Sequence, residues 1–257
     1  MLQFIVRRVI VALLVAATVM TLAFILTRLS GDLAVSIAGP NATQEDIELV
    51  RKAYGLDRPV TTQFFDWAGR AITGDLGESY FFKTRVSSLI AERMPITITL
   101  GLTGLIIALL VSLPLGILAA VRENTAFDRV VQMVALLGQA MPSFWLGLIL
   151  MITFGLQLGW LPISGTGSWQ HYVMPGIVLA FSAIPALTRL TRAGMIQAMG
   201  SDYIRTARAK GLSRASILLK HALRNAAIPV VAIAAVQLGF MLGGSIVIEQ
   251  VFALHSV

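Results

Sequence analysis

Hydrophobic residues in this chain gather into long runs separated by polar intervals, and most runs have the length of a helix that crosses a bilayer, roughly 20 residues. Val9 to Thr27 is the first, uncharged and preceded by Arg7 and Arg8. A cleaved leader would carry a shorter apolar region and a small-residue cleavage site, so this segment reads as an uncleaved span. Ile96 to Val121 is the second, with Pro95 at its mouth and Pro114 inside. Val130 to Leu158 is the third. It is long for one crossing at about 1.5 Å per residue and is predicted to tilt or kink at Pro142. Val173 to Leu187 is the fourth, carrying Pro175 and Pro185 and continuing as a helix through Arg189 and Arg192; Ala226 to Ile248 is the fifth.

Between the first two runs lies the only sizeable polar region, Leu29 to Met94. Thr43 with Asp46 three residues on predicts a capping box that opens a helix running to Tyr54, where Gly55 ends it. A second helix over Thr61 to Ile72 carries Phe64, Phe65 and Trp67, and Tyr80, Phe81 and Phe82 form an aromatic cluster. These aromatics suit a small cap resting on the membrane interface; a surface for an external partner is the sharper alternative. The chain therefore divides into residues 1–28 (N-terminal end and first span), 29–94 (external helical region) and 95–257 (membrane core).

Composition fixes the class. With 56% hydrophobic and 13% charged residues and a mean hydropathy of +0.81, a chain of 257 residues has too little polar surface to cover a soluble globule. The net charge of +7 is explained by topology. Arg189 to Arg224 holds eight Lys/Arg against one acid, whereas the loop Trp160 to Tyr172 holds no charge. The positive-inside rule then puts the N-terminus and the basic segment in the cytoplasm, and the external region is long enough for its seven Lys/Arg to be tolerated outside. The fold class is an all-α polytopic membrane protein with five visible spans.

The basic segment, Ser201 to Pro229, reads as two short helices. Gly211 ends the first in the left-handed conformation, Ser213 caps the second, and Pro229 stands where the last apolar run begins. Three roles compete: lying on an anionic leaflet, reading DNA, or receiving a soluble subunit. Tethering to spans at both ends argues against nucleic acid. The small residues Ala207, Ala209 and Gly211 let the turn enter a groove.

Catalytic chemistry is hard to find. No Gly-Lys-Ser/Thr phosphate loop, Gly-x-Ser-x-Gly or His-Glu-x-x-His occurs, and His171, His221 and His255 lie far apart without carboxylates at ligand spacing. The five runs contain no Asp, Glu, Lys or Arg, so an ion-coupled carrier lacks its usual midplane group. What remains is small and polar. Gln237, Met241, Gly244 and Ile248 recur at helical spacing and could face a pathway with Ser245, as could Gln139 on the third run; ordinary helix packing is the competing reading. Gly239-x-x-x-Gly243 permits close approach of another helix.

Tyr203-Ile204-Arg205-Thr206-Ala207-Arg208-Ala209-Lys210-Gly211-Leu212-Ser213, followed by Lys220 to Ala226 and Pro229, resembles the cytoplasmic coupling loop of bacterial ABC importer permeases, in the form found in the dipeptide, oligopeptide and nickel group. Arg205-Thr206-Ala207 stands where the general signature has Glu-Ala-Ala. Gly55 to Val60, Gly74 to Gly77, Pro142 to Gly147 and Glu249 to Phe252 are also similar to this group, the first two to its first permease type. The resemblance implies the type I importer transmembrane fold with six spans, so a sixth span is expected to be missing from this sequence. It implies ATPase docking by Tyr203, Arg205, Thr206, Ala207, Ala209, Lys210, Gly211 and Leu212 within a loop at 201–225. It implies no cofactor in this chain, with ATP and Mg held by two partner ATPase subunits. A homologous second permease, an extracytoplasmic solute-binding protein and membrane lipid complete the expected partners, in a bacterial inner membrane. The solute stays open among dipeptides, longer peptides, glutathione-like compounds and nickel chelates. A passive channel or a membrane scaffold is the alternative.

Overall fold

The computed structural model describes residues 2–79 and 81–254. Tyr80 of the expected aromatic cluster, and His255 to Val257, fall outside the described residues. The chain divides into two compact units, residues 1–91 and 92–257. Among the described residues its regular structure is helical, apart from one isolated antiparallel bridge between Glu78 and Arg85.

In the first unit, α1 (Leu2–Leu29) is exposed along its apolar length, as suits a helix bathed in lipid. Phe24 near its end stacks on Trp67 at 5.7 Å and meets Phe64 edge-on at 5.3 Å, which fastens α4 (Val60–Ile72) to it. Asp32 caps the short α2 (Leu33–Ala38) and pairs with Arg51 of α3 (Gln44–Ala53). The capping box is present: Thr43 and Asp46 each accept the other's backbone N–H. Gly55, at φ +61°, ends the turn after α3, and Gln63 reaches back to the carbonyl of Arg58 at 2.7 Å.

The second unit is a packed bundle. Helix α5 (Val86–Val121) leads into it, followed by α6 (Ala126–Ala140), α7 (Ser143–Gln157, π-helical from Met151), α8 (Val173–Met199), α9 (Asp202–Ala209) and α10 (Arg214–Val251, π-helical over Ile217–Ala222). Among the described residues four helices are long and apolar enough to cross a membrane, or five if the bent α6–α7 pair is one crossing.

Two expectations need correction. Helix α5 begins at Val86, so Pro95 lies inside it. The second short helix of the basic segment and the last span form one continuous helix, with Pro229 inside. A proline costs one intrahelical hydrogen bond but does not oblige a break where packing holds both sides. The kink expected at Pro142 is present, as a bend of 100° at Met141–Pro142. Pro142 drives the preceding residue out of helical space, and Met141 sits at φ −81°, ψ 130°.

Helix α8 is central: 56% of its most apolar window is buried, against 33% for α5 and 22% for α10. Met174, Val178, Ala183 and Leu187 pack with Leu100 and Ala108 of α5 and with Val230, Ala234 and Met241 of α10. Backbones approach closely at glycines. A Cβ on Gly116 would fall 2.6 Å from that of Thr191, and one on Gly194 would meet the Ala226 backbone at 3.2 Å. Helix α6 is tied to α8 by a bidentate ion pair: Arg192 donates from Nε and Nη2 to the two oxygens of the buried Asp128, each at 2.6 Å. The Asn124 backbone N–H adds a third donor at 3.1 Å.

Two outcomes follow for thermal unfolding of the purified protein in detergent, monitored by tryptophan fluorescence. Gly116→Val should lose about 1–3 kcal/mol or more by overpacking, whereas Gly239→Ala, whose added methyl meets nothing within 4 Å, should be neutral. Asp128→Ala, which strands the Arg192 charge, should cost about 3 kcal/mol, and adding Arg192→Leu should restore most of it.

Candidate functional site

Helix α9 is set by its ends. The Ser201 hydroxyl donates to the Ala198 carbonyl at 2.5 Å, so the chain turns directly out of α8. At the other end Gly211 takes φ +75°, its N–H bonding Arg208 at 2.9 Å, and Ser213 accepts the Ser216 N–H at 3.3 Å to open α10. Both turn residues act as their types demand.

The inner face of α9 carries Ile204 and Ala207. Both are buried in a cluster with Ala120 at the end of α5, Met195 and Ala198 of α8, and Ile217, Ala222 and Ala226 of α10. Tyr203, Arg205, Thr206, Ala209, Lys210, Gly211 and Leu212 are exposed. Ala207 is thus turned inward, away from the face its seven companions present, because the helical period that exposes Tyr203 and Thr206 buries Ile204 and Ala207. Arg205 makes only a solvent-exposed contact with Asp202 at 3.4 Å. Beside the turn a cavity of about 450 Å³ is lined by Val121, Met199, Arg208, Leu212, Ile217 and Leu218, among others.

A second cavity, about 150 Å³, opens between α7, α8 and α10. Gln237, Met241, Gly244 and Ile248 line it together with Ser143, Ser182 and Phe240. Gln139 is exposed on α6 and is not among its lining residues. Ser245 is buried and directed elsewhere: its hydroxyl donates to Glu249 Oε1 at 2.7 Å. Among the described residues, Gly239 and Gly243, expected to admit another helix, meet no atom beyond the adjoining backbone of their own helix within 4 Å of where a side chain would start.

Glu249 corrects the expectation that the spans lack ionisable groups. Helix α10 runs to Val251, and Glu249 in its last turn is only 5% exposed. The Thr97 hydroxyl of α5 donates to the same oxygen at 2.8 Å, so this carboxylate joins two helices. Asp128 and Arg192 likewise fall inside helices that extend past the apolar runs. Hydropathy ends a span at the first charge, whereas the helix continues for as long as each charge finds partners. A signal was present in the spacing of Ser245 and Glu249, four residues apart on one face.

Comparison with known proteins agrees with this architecture. Residues 112–256 match the family described as binding-protein-dependent transport system inner membrane component, and residues 1–101 match the N-terminal region of such membrane components. Glutathione transport system permease proteins GsiC of Escherichia coli K12, E. coli O6:H1 strain CFT073 and Salmonella choleraesuis SC-B67 are each 42% identical over 253 residues. The match covers 98% of this chain and 83% of each relative. A permease subunit of this kind is a multi-pass inner-membrane protein, is not itself the ATPase, and works with a partner permease, an ATPase and a binding protein. The chain belongs to the binding-protein-dependent inner membrane component family and is a transmembrane permease subunit of an ABC importer, of the dipeptide, oligopeptide and nickel group.

Proposed function

We propose that the exposed face of α9 and the turn at Gly211 receive one of two ATPase subunits on the cytoplasmic side, with the N-terminus of the chain on that same side. One observation carries this reading: a short helix with an exposed outer face has its inner face wedged among the ends of α5, α8 and α10. Force on α9 therefore reaches all three through direct side-chain contact, and packed helices pass displacement on as bodies. ATP and Mg belong to the partner subunits, whose closure drives α9.

The path for solute runs past the cavity of Gln237, Met241 and Gly244, with a homologous second permease supplying its other wall. The lining offers hydroxyls, an amide and a thioether but no charge. Such a wall accepts the amides of a peptide without holding them tightly, and leaves selection to the extracytoplasmic binding protein. Peptide-like solutes, glutathione among them, fit both this lining and the names of the relatives.

The docking reading is tested on exposed residues, since a charge at the buried Ala207 would disturb folding first. Tyr203→Asp with Leu212→Asp should leave the amount of permease in the membrane unchanged. Recovery of the ATPase by affinity purification, and ATP-dependent uptake, should fall by roughly tenfold or more, as for loss of apolar anchors at an interface. Normal ATPase recovery with normal uptake would sink the assignment.

A further inference from the structure

The first unit holds a cavity of its own, about 850 Å³, where the ends of α3 and α4 meet the segment that leads to α5. That segment is fixed by its backbone. Gly74 takes φ +88° and the Asp75 N–H returns to the Arg70 carbonyl at 3.0 Å, which ends α4. Asp75 Oδ1 then accepts the Gly77 N–H at 3.0 Å, with Gly77 at φ +77°. From there the chain doubles back: the Ser79 N–H donates to the Thr84 carbonyl at 2.8 Å and the Val86 N–H to the Gly77 carbonyl at 3.0 Å. The stretch Gly74 to Gly77 is therefore the turn that sets a helix end against a tight hairpin, with the cavity beside it.

Among the described residues, the charged side chains lining it are Arg70 and Arg85 on the one hand and Asp75 and Glu78 on the other. Glu78 and Arg85 oppose each other across the isolated bridge, so both leave the backbone on the same side. Yet no arginine of this set comes within ion-pair distance of either carboxylate. Arg70 uses only Nε, on the Asp66 carbonyl at 3.4 Å, and Asp75 uses only Oδ1, on Gly77. Trp67 and Tyr54 add an aromatic wall, and the Trp67 ring is held by stacking on Phe24. A solvated face would spread such charges out, and a structural network would close them into pairs. Here opposite charges in equal number converge on one concavity and stay apart.

We infer that this cavity binds a short peptide with both termini free, its carboxylate at Arg70 and Arg85, its ammonium at Asp75 and Glu78, and its side chains against Trp67 and Tyr54. A guanidinium offers a carboxylate paired N–H donors. A simple anion or cation would be repelled by half of the lining, whereas a zwitterion satisfies both halves. The volume lies within the range of small-molecule sites, roughly 300–1,000 Å³. The choice of a peptide among zwitterions rests on the solute class proposed above, but the site shares no lining residue with the cavity of Gln237. All four charged residues are exposed, so the dissociation constant is on the order of 1 mM.

Saturation-transfer NMR on the full chain in nanodiscs, with trialanine and its N-acetylated, C-amidated and doubly capped forms as probes, reads each terminus separately. The wild-type chain should bind trialanine about tenfold more tightly than the doubly capped form, the scale of losing charge-assisted contacts. Arg70→Gln with Arg85→Gln should abolish the advantage of a free carboxylate and keep that of a free amine. Asp75→Asn with Glu78→Gln should do the reverse, since Asn retains the acceptor that Gly77 uses. Equal binding of the four peptides by the wild type, or preferences that the two double variants do not separate, overturns the site. So does binding that survives both double variants and disappears in Gln237→Leu, which would place the peptide in the membrane path. Disulfide capture of the binding protein by Glu78→Cys in the assembled importer, with no preference for free termini, overturns it as well and makes the cavity a protein contact. Neither ATPase recovery nor uptake enters these readouts, so the docking reading stands or falls separately.

Discussion

Close approach of α8 to α5 and α10 is the constraint on which the rest of the structure depends. In lipid there is no general hydrophobic drive to bring helices together, so packing has to come from surfaces that fit. Gly116 against Thr191, Gly176 against Thr103 and Gly194 against Ala226 remove side chains where backbones cross. Around those crossings the larger residues Leu100, Met174, Leu187 and Met195 are almost fully buried. A similar exchange explains a pair of sequence stretches that otherwise look unrelated. Gly147 on α7 makes room for Phe252, whose ring would lie 3.2 Å from an added Cβ and which is itself buried in the core. The segments Pro142 to Gly147 and Glu249 to Phe252 thus share one packing contact.

Polar ties fix these helices where packing alone would let them slide. Asp128 and Arg192 join α6 to α8 near α9, and Glu249 joins α5 to α10 at their far ends. Each carboxylate accepts more than one donor, which is what makes a charge tolerable in a helix that otherwise faces lipid. The hydroxyls of Thr97 and Ser245 both point at one oxygen of Glu249, so the carboxylate orders two helices at once.

Much of this was legible in the residues. The apolar runs, the capping box at Thr43, the turn at Gly211 and the cap at Ser213 depend on local sequence, and the structure shows each of them. Helical spacing also grouped Gln237, Met241, Gly244 and Ile248, which line one cavity. What was not legible depends on contacts distant in sequence. Pro95 and Pro229 read as helix starts because a local rule was applied where tertiary packing holds the helix through them. Ala207 read as surface because small residues suit a groove, but a groove within the same chain had already taken it. The ion pair of Asp128 and Arg192 spans 64 positions, and no pattern in either helix announces it.

The distribution of ties also bears on where movement can occur. Helix α9 is packed against α5, α8 and α10 together, so these three resist sliding past one another at that end. Interfaces of this density switch as units and do not deform continuously. The α6–α7 segment is built differently. It breaks by 100° at Met141–Pro142, where the helix ladder is interrupted, and Ser143 at the start of α7 lines the same cavity as Gln237. On the proposed docking role, displacement of α9 would move α5, α8 and α10 as one body, while α6 follows through the Asp128–Arg192 pair. The chain would then yield at Pro142, beside the cavity. A path whose wall changes at a helix break needs no charge of its own to open and close, which agrees with the uncharged lining there.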